Sequence, residues 1–476
     1  MTTNRRDFIR TVGAGALLAS PLASLACRAP AATGAPEPAN DAWARVPEIL
    51  RRIVPPTLPR RDFEITRYGA VAGGRDDCTA AIRRAIHECS AAGGGRVVVP
   101  AGRFLTGPVH LESNVDLHLV RGATLAFSQN PAHYLPAVLT RFESTELYNY
   151  SPFVYALDCT NIAITGGGTL DGQAGPEHWW PWKGSADFGW RRGTPNYNAA
   201  RQRLLDMAER GVPAGERRFG EGDYLRPNFI QPYRCTNVLI EGVHIVNSPM
   251  WEINPVLCRN VTVRGVSIDS HGPNNDGCDP ECCRDVLIER CVFDTGDDCI
   301  AIKSGRNADG RRVNQPSENI IVRNCQMRDG HGGVTVGSEI SGGCWNVFAY
   351  DCHMNSPRLD SALRLKNNAM RGGLLHDIYL RDVTIGQVVI AVLSIDFNYE
   401  EGAKGEFTPI ARDIELRRVT SHKSQYGVYL RGFANAPIDD VRLLDCRFDG
   451  VEKGNVIEHV RGLDWRGTKI NGVTPA

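Results

Sequence analysis

A short pattern returns along most of this chain and limits what it can fold into. It is Asn or Asp, an aliphatic, any residue, an aliphatic or Ala, two variable residues, then Val or Cys. Copies run from Asn237 to Val243, Asn260 to Val266, Asp285 to Cys291, Asn319 to Cys325, Asn346 to Cys352, Asp377 to Val383, Asp413 to Val419 and Asp440 to Cys446. A period of roughly two to three dozen residues belongs to repeat architectures, whose units bury their apolar faces only by stacking. Within each copy aliphatic and polar side chains alternate, which is a strand signature, and no helical period competes with it. The expected fold is therefore all-β, a right-handed parallel β-helix with rungs about 4.8 Å apart. A propeller would need a blade signature such as a regular Trp-Asp dipeptide, which this chain lacks.

Solenoids need closed ends. Ala81, Ile82, Ala85, Ile86 and Cys89 fit one helix face, Gly93-Gly94-Gly95 ends that helix, and Arg96 to Pro100 reads as a strand. This is expected to be a short N-terminal capping helix. The body then runs over 63–476 as a single domain, with the repeat interrupted at 173–230. Residues 28–62 are rich in Pro and Ala at their start and read as a tether and lead-in. Residues 1–27 read as a twin-arginine-type export signal. Arg5-Arg6 precedes a moderately apolar run from Val12 to Ala26, which is too short for a membrane span. Cys27 follows a small residue, as a lipid-acceptor cysteine does, although Ser24 stands where that pattern prefers an aliphatic. The expected destination is periplasmic or extracellular, with a membrane link only through Cys27.

Lysines plus arginines equal aspartates plus glutamates, so formal net charge is zero. No global field attracts nucleic acid or an anionic membrane, and any attraction for an acidic partner must be local. Four of the 15 cysteines close the repeat where other copies carry Val: Cys291, Cys325, Cys352 and Cys446. They read as small apolar core residues. A local bridge among Cys278, Cys282 and Cys283 stays open. There is no paired Cys-x-x-Cys or Cys/His zinc spacing. A monomer is the default.

Four motifs sit at matching places in successive copies: Asn274-Asn275-Asp276-Gly277, Gly296-Asp297-Asp298-Cys299, Gly330-His331-Gly332-Gly333 and Arg364-Leu365-Lys366. Aligning Ile300 to Lys303, Val334 to Gly337 and Leu363 to Lys366 as equivalent strands points the aliphatics inward. Ala301, Thr335 and Arg364 then face outward together, as do Lys303, Gly337 and Lys366. In the same alignment Asp297 stacks on His331, with Asp298 beside them and Asp276 one rung earlier. Carboxylates this crowded cannot all ionise alike, so at least one should hold its proton. A protonated carboxyl beside ionised ones is what a general acid and its partner base require. Inverting glycoside hydrolysis uses that division. Arg364, Lys366 and Lys303 supply positive charge for an acidic sugar chain, and Asn274 joins them as a substrate-binding candidate. Singly each motif has a bland reading: a turn former, a calcium pair at Asp297-Asp298, a glycine-shaped bend, a solvated strand face. Together, on one face, they favour chemistry.

These residues resemble the polygalacturonases of glycoside hydrolase family 28, whose pattern is Asn-Thr-Asp, Asp-Asp, Gly-His-Gly and Arg-Ile-Lys on a right-handed β-helix. Asn275 replaces Thr and Leu365 replaces Ile, and both changes spare the chemical groups. The resemblance runs from about Phe63 to the C-terminus and includes Gly166 to Gly172. It implies inverting hydrolysis of α-1,4-galacturonan without metal. Asp297 would be the general acid, Asp276 and Asp298 the pair activating water, and His331 the group tuning the acid. Arg364 and Lys366 would bind galacturonate. Gly330-His331-Gly332 favours this over a rhamnogalacturonan hydrolase. A pectate-lyase-like enzyme would need calcium and give unsaturated products, while a non-catalytic carbohydrate-binding β-helix would not need three clustered Asp. Within 173–230, Trp179, Trp180, Trp182, Phe188 and Trp190, followed by Arg191-Arg192, read equally as a self-packing loop or as a sugar-binding wall. A wall closing one end of the groove would make the enzyme act from a chain end. Tyr399-Glu400-Glu401-Gly402 marks another loop at the groove edge.

Overall fold

The computed structural model describes residues 41–475, so the segment read as an export signal, most of the expected tether and Cys27 lie outside the described residues. The chain winds into a parallel β-helix with three walls. One wall is a sheet of 13 strands from Asp62–Glu64 to Val460–Asp464, and a second has 12 strands from Gly102–Thr106 to Lys469–Ile470. The third wall begins as three strands, Val109–His110, Val154–Leu157 and Ile230–Tyr233. Single bridges through Ile253, Cys278 and Ile300 carry it into a six-stranded sheet that starts at Ala301–Ile302. Apart from one hairpin, the strands pair in parallel. The predicted register is the observed one: Ala301 pairs Thr335, and Thr335 pairs Arg364.

The repeat has a local cause. Every leading Asn or Asp, from Asn237 to Asp440, has φ between +52° and +59°, a left-handed turn that short polar side chains tolerate best. Several also stack through their amides: Asn260 Nδ2 donates to Asn237 Oδ1 at 2.7 Å, and Asn346 Nδ2 to Asn319 Oδ1 at 3.0 Å. The closing Cys or Val residues are buried in one continuous core. Cys278, Cys282 and Cys283 are free thiols, so the bridge left open among them is not formed.

The capping helix spans Thr79–Ala91 and buries the five residues read from its period. The lead-in differs from a plain tether. A 3-10 turn, Ala42–Arg45, and a helix, Val46–Arg52, lie on the outer face of the 13-stranded sheet. Trp43, Val46, Ile49 and Ile53 form a separate apolar cluster there with Leu287, Ile321, Phe348 and Tyr379. Arg52 Nη2 pairs Asp285 at 2.9 Å, and Arg45 Nη1 donates to Asn346 at 2.5 Å.

Three excursions rise on the third wall. The first is an antiparallel hairpin, Val138–Phe142 with Thr145–Asn149. The second is the insertion at 173–230, which holds a helix, Asn198–Glu209, and short 3-10 turns at Trp180–Lys183 and Ala186–Phe188. The third is the loop around Tyr399. Hairpin and insertion share a small core of their own, including Phe142, Leu147, Tyr197, Leu204 and Trp251.

Candidate active site

The three aspartates come from two neighbouring rungs. Glycines let the next rung, which carries His331, approach closely. At Gly332 an added Cβ would stand 2.8 Å from Asp298 Oδ1, and at Gly330, with φ +152°, it would stand 2.6 Å from Asp297 O. One carboxylate oxygen from each of Asp276, Asp297 and Asp298 lies within 4.8 Å of the other two. The His331 amide donates to Asp297 O at 3.0 Å, and its ring Nδ1 stands 3.0 Å from Asp297 Oδ1. Lys366 Nζ donates to Asp298 Oδ2 at 2.7 Å, and Arg364 Nη1 lies 3.8 Å from Asp298 Oδ1. Tyr399 covers both cations, its ring centre 5.3 Å from Lys366 Nζ and 5.8 Å from the Arg364 guanidinium. The sequence alignment therefore brings Asp276, Asp297, Asp298, His331, Arg364 and Lys366 together as expected.

Two expectations change. Lys303 is not free for a substrate. It is buried, with Nζ 3.2 Å from Glu339, 3.8 Å from Asp276 and 3.9 Å from Asp279. It serves as counterion to the protein's own carboxylates, because burying those anions without a cation would cost several kcal/mol, on the order of 3–5. The raised carboxyl is also not Asp297. Burial, reinforced by Asp279 and Asp297, pushes Asp276 well above the usual carboxylate range. Burial likewise raises Asp279 and Glu252 behind it. Burial acts upward on Asp297 as well, but the His331 charge and hydrogen bond outweigh it and hold Asp297 below the usual range. Asp297 in turn lifts His331 to about 9. Burial thus favours the neutral form of Asp276, while His331 and Asp297 favour an imidazolium–carboxylate pair. Oδ1 of Asp276 and Oδ1 of Asp298 are buried, and neither has a hydrogen-bond partner among the described residues.

Asn274 adopts φ +56°. Its Oδ1 accepts from Lys183 Nζ at 3.0 Å and from Arg226 Nη2 at 2.8 Å. Both donors belong to the insertion. Arg226 is buried, donates also to the carbonyls of Pro249 and Pro273, and is lowered to about 10 by burial.

Around the aspartates is a polar cavity of about 130 Å³, lined also by Glu143, Lys183, Tyr197, Arg201, Trp251, Arg306 and Glu339. Sequence reading missed these. Glu143 sits in the two-residue turn of the hairpin with φ +44°, and Ser144 follows at +61°. Neither residue is the Asn or Gly that such turns favour, which costs about 1–3 kcal/mol per strained residue. The turn is held by ions. Glu143 Oε2 lies 2.6 Å from Arg201 of the insertion and 3.1 Å from Arg306. Arg306 also reaches Glu339 at 3.3 Å and Glu400 at 3.7 Å. Hairpin, insertion and Tyr399 loop are thereby tied into one wall. Beneath the hairpin, buried Arg141 pairs Glu281, and Arg217 pairs Asp309 at 2.6 Å.

The insertion's tryptophans mostly pack on protein. Trp179 is buried against Tyr134, Phe153 and Trp182. Trp180 Nε1 donates to Ser248 O at 2.8 Å, over Gly272, where there is no room for a side chain. Arg191 and Arg192 are exposed and absent from the cavity lining. The aromatics at the site are Tyr197, Trp251 and Tyr399.

Known proteins resemble this chain in sequence and fold. The chain is 28% identical over 428 residues to a "Probable polygalacturonase" of Vitis vinifera, covering 86% of this chain and 77% of that one. It is 28% identical over 367 residues to an "Exo-poly-alpha-D-galacturonosidase" of Dickeya chrysanthemi, covering 73% of this chain and 59% of that one. Among solved structures, a hyperthermoactive exopolygalacturonase from Thermotoga maritima superposes with a TM-score of 0.88 at 47% identity, covering 91% of this chain and 96% of that one. The polygalacturonase of Erwinia carotovora ssp. carotovora, at 24% identity and a TM-score of 0.65, shares the fold. The family "Glycosyl hydrolases family 28" matches residues 216–465, which contain Asp276, Asp297, Asp298, His331, Arg364 and Lys366. With more than half of its length matched, and its carboxylates stacked on one face of a parallel β-helix, the chain belongs to glycosyl hydrolases family 28.

Proposed function

We propose that this family 28 hydrolase is a polygalacturonase that cleaves α-1,4-galacturonosyl linkages from a chain end, with inversion. The observation that carries the chain-end reading is the wall. Hairpin, insertion and Tyr399 loop meet through Glu143, Arg201, Arg306 and Glu400 at one side of the aspartates. A wall at that side would stop a long chain and leave the cavity to its terminus. The Dickeya and Thermotoga relatives, both named as exo-acting enzymes, point the same way.

In this reading Asp297 gives a proton to the leaving oxygen. The proton waits on His331 in the free site and crosses the 3.0 Å from Nδ1 to Oδ1. An anionic sugar and the loss of water both favour a neutral Asp297, so substrate binding drives that transfer. Asp276, whose burial favours its neutral form, and Asp298 hold the attacking water, each through one buried oxygen left unpartnered among the described residues. Asp298 takes the water's proton as oxygen attacks the anomeric carbon. Arg364 and Lys366, under the Tyr399 ring and beside Asp298, offer positive charge to the acidic chain. Lys303 is the counterion behind, not a substrate ligand.

Inversion rests on the family resemblance and not on spacing. Oxygens within 4.8 Å are closer than the roughly 6.5–9.5 Å common to inverting carboxyl pairs. Proton NMR of the first product decides it. Release of the β-anomer supports inversion, and release of the α-anomer overturns it. Polygalacturonate incubated with chelator should release saturated galacturonate from the first minutes, with Asp297→Asn inactive. Mixed oligomers would remove the chain-end reading. Unsaturated products dependent on calcium would remove the hydrolase.

The reading includes export through residues 1–27 to the periplasm or beyond, supported by Arg5-Arg6 and the apolar run after it.

A further inference from the structure

Five cations line the cavity: Lys183, Arg201, Lys303, Arg306 and Lys366. Four are already spoken for by carboxylates within 4 Å. Arg201 and Arg306 hold Glu143, Lys303 holds Glu339, and Lys366 holds Asp298. Among the described residues, Lys183 has no carboxylate within ion-pair reach. Its ammonium rests 3.0 Å from Asn274 Oδ1 and 5.3 Å from the centre of the Tyr197 ring. Glu143 feels its charge only from farther away. Asn274 spends its oxygen on Lys183 and Arg226, and its Nδ2 makes no hydrogen bond among the described residues. An ammonium and an amide N–H thus stand side by side at the closed end, both without an acceptor for their remaining hydrogens.

The support behind Lys183 is stiff. It ends the 3-10 turn Trp180–Lys183, and Gly184, at φ +76°, turns the chain away. Trp179, just before that turn, packs edge to face on Trp182 within it at 4.9 Å, and Trp180 is pinned to Ser248. A lysine on such a pedestal loses little freedom when it binds, which is the condition for selective recognition.

We infer that Lys183, with the Asn274 amide beside it, binds the carboxylate of the terminal sugar residue enclosed by the wall, and so makes the enzyme select an acidic chain end. This rests on the chain-end galacturonide reading above. It also gives the insertion a role in specificity that its exposed arginines do not fill.

The test uses wild type, Lys183→Met and Lys183→Arg on three disaccharides: digalacturonate, galactosyl-galacturonate and galacturonosyl-galactose. Lys183→Met should lower kcat/KM on digalacturonate roughly 10- to 100-fold, the range of a charge-assisted hydrogen bond, chiefly through KM. Lys183→Arg should recover most of that loss. On one of the two singly neutral sugars the loss should vanish, because no carboxylate remains there to be read, and that sugar identifies the enclosed end. An equal loss on all three would mean that Lys183 acts only by holding Asn274, and an unchanged kcat/KM would mean that it does not bind; either overturns the inference alone. A wild type that leaves polygalacturonate intact overturns the chain-end reading, and this inference with it.

Discussion

At Asp297 and His331 two groups of opposite tendency settle each other's charge. The imidazole is half-exposed, yet the neighbouring carboxylate raises it to about 9, mainly by its charge and then by the hydrogen bond. Because His331 is raised, the fold gains from the pair fully below about pH 6.5 and loses that gain as pH climbs through about 9. Asp297 is lowered, so its share is present above about pH 4 and is lost in acid. An NMR titration of His331 should give a midpoint near 9 in the wild type. In Asp297→Asn the midpoint should fall toward about 6.5. In the wild type kcat/KM should decline as pH rises through the same value, since the proton for the leaving oxygen is then gone. A midpoint that stays put in Asp297→Asn would show that another group charges the ring. The pairing itself was legible in the sequence, because equal offsets in equal repeats must stack. Which carboxyl keeps the proton was not, because it depends on burial and on Lys303, Asp279 and Glu252, whose surroundings no spacing reveals.

At the scale of elements, the hairpin turn is the part most constrained by its neighbours. Glu143 is kept in a left-handed conformation by guanidinium groups from two other elements. Glu143→Gln keeps the size and removes the charge, leaving Arg201 and Arg306 poorly matched. We expect the wall to loosen, so that short oligomers appear beside galacturonate in the product profile and KM for disaccharides rises several-fold. An unaltered profile would assign closure of the groove to the Tyr399 loop alone. The insertion's limits could be read where the repeat stops. Its working residues could not, because Lys183 and Arg201 mean nothing until Asn274 and Glu143, 91 and 58 residues away, come to meet them.

For the whole molecule, the N-terminal strap is a load on the solenoid's flank. Trp43 lies edge-on to Phe348 at 5.3 Å and to Tyr350 at 5.8 Å, and sits over the Arg381 guanidinium at 3.9 Å. It touches strands on the wall away from the aspartates. Trp43→Ala should therefore cost about 3–5 kcal/mol of stability, as large aromatic truncations in cores do. It should lower the denaturation midpoint while leaving kcat and KM unchanged. A change in kcat or KM would mean that the strap's packing is transmitted across the core. Periodicity missed this strap, since a single amphipathic turn before the first rung has no repeat to belong to.

The chain by itself determined the coil, its register and the face on which Asp276, Asp297, Asp298, His331, Arg364 and Lys366 meet. These follow from a period and from the αL preference of Asn and Asp at each corner, both local properties written in neighbouring residues. Tertiary structure alone decided which carboxyl burial pushes toward its neutral form, that Lys303 is buried as a counterion, and that three distant excursions meet beside the aspartates. Those outcomes depend on solvent exclusion and on charges brought together from far apart in sequence, and neither has a local signature.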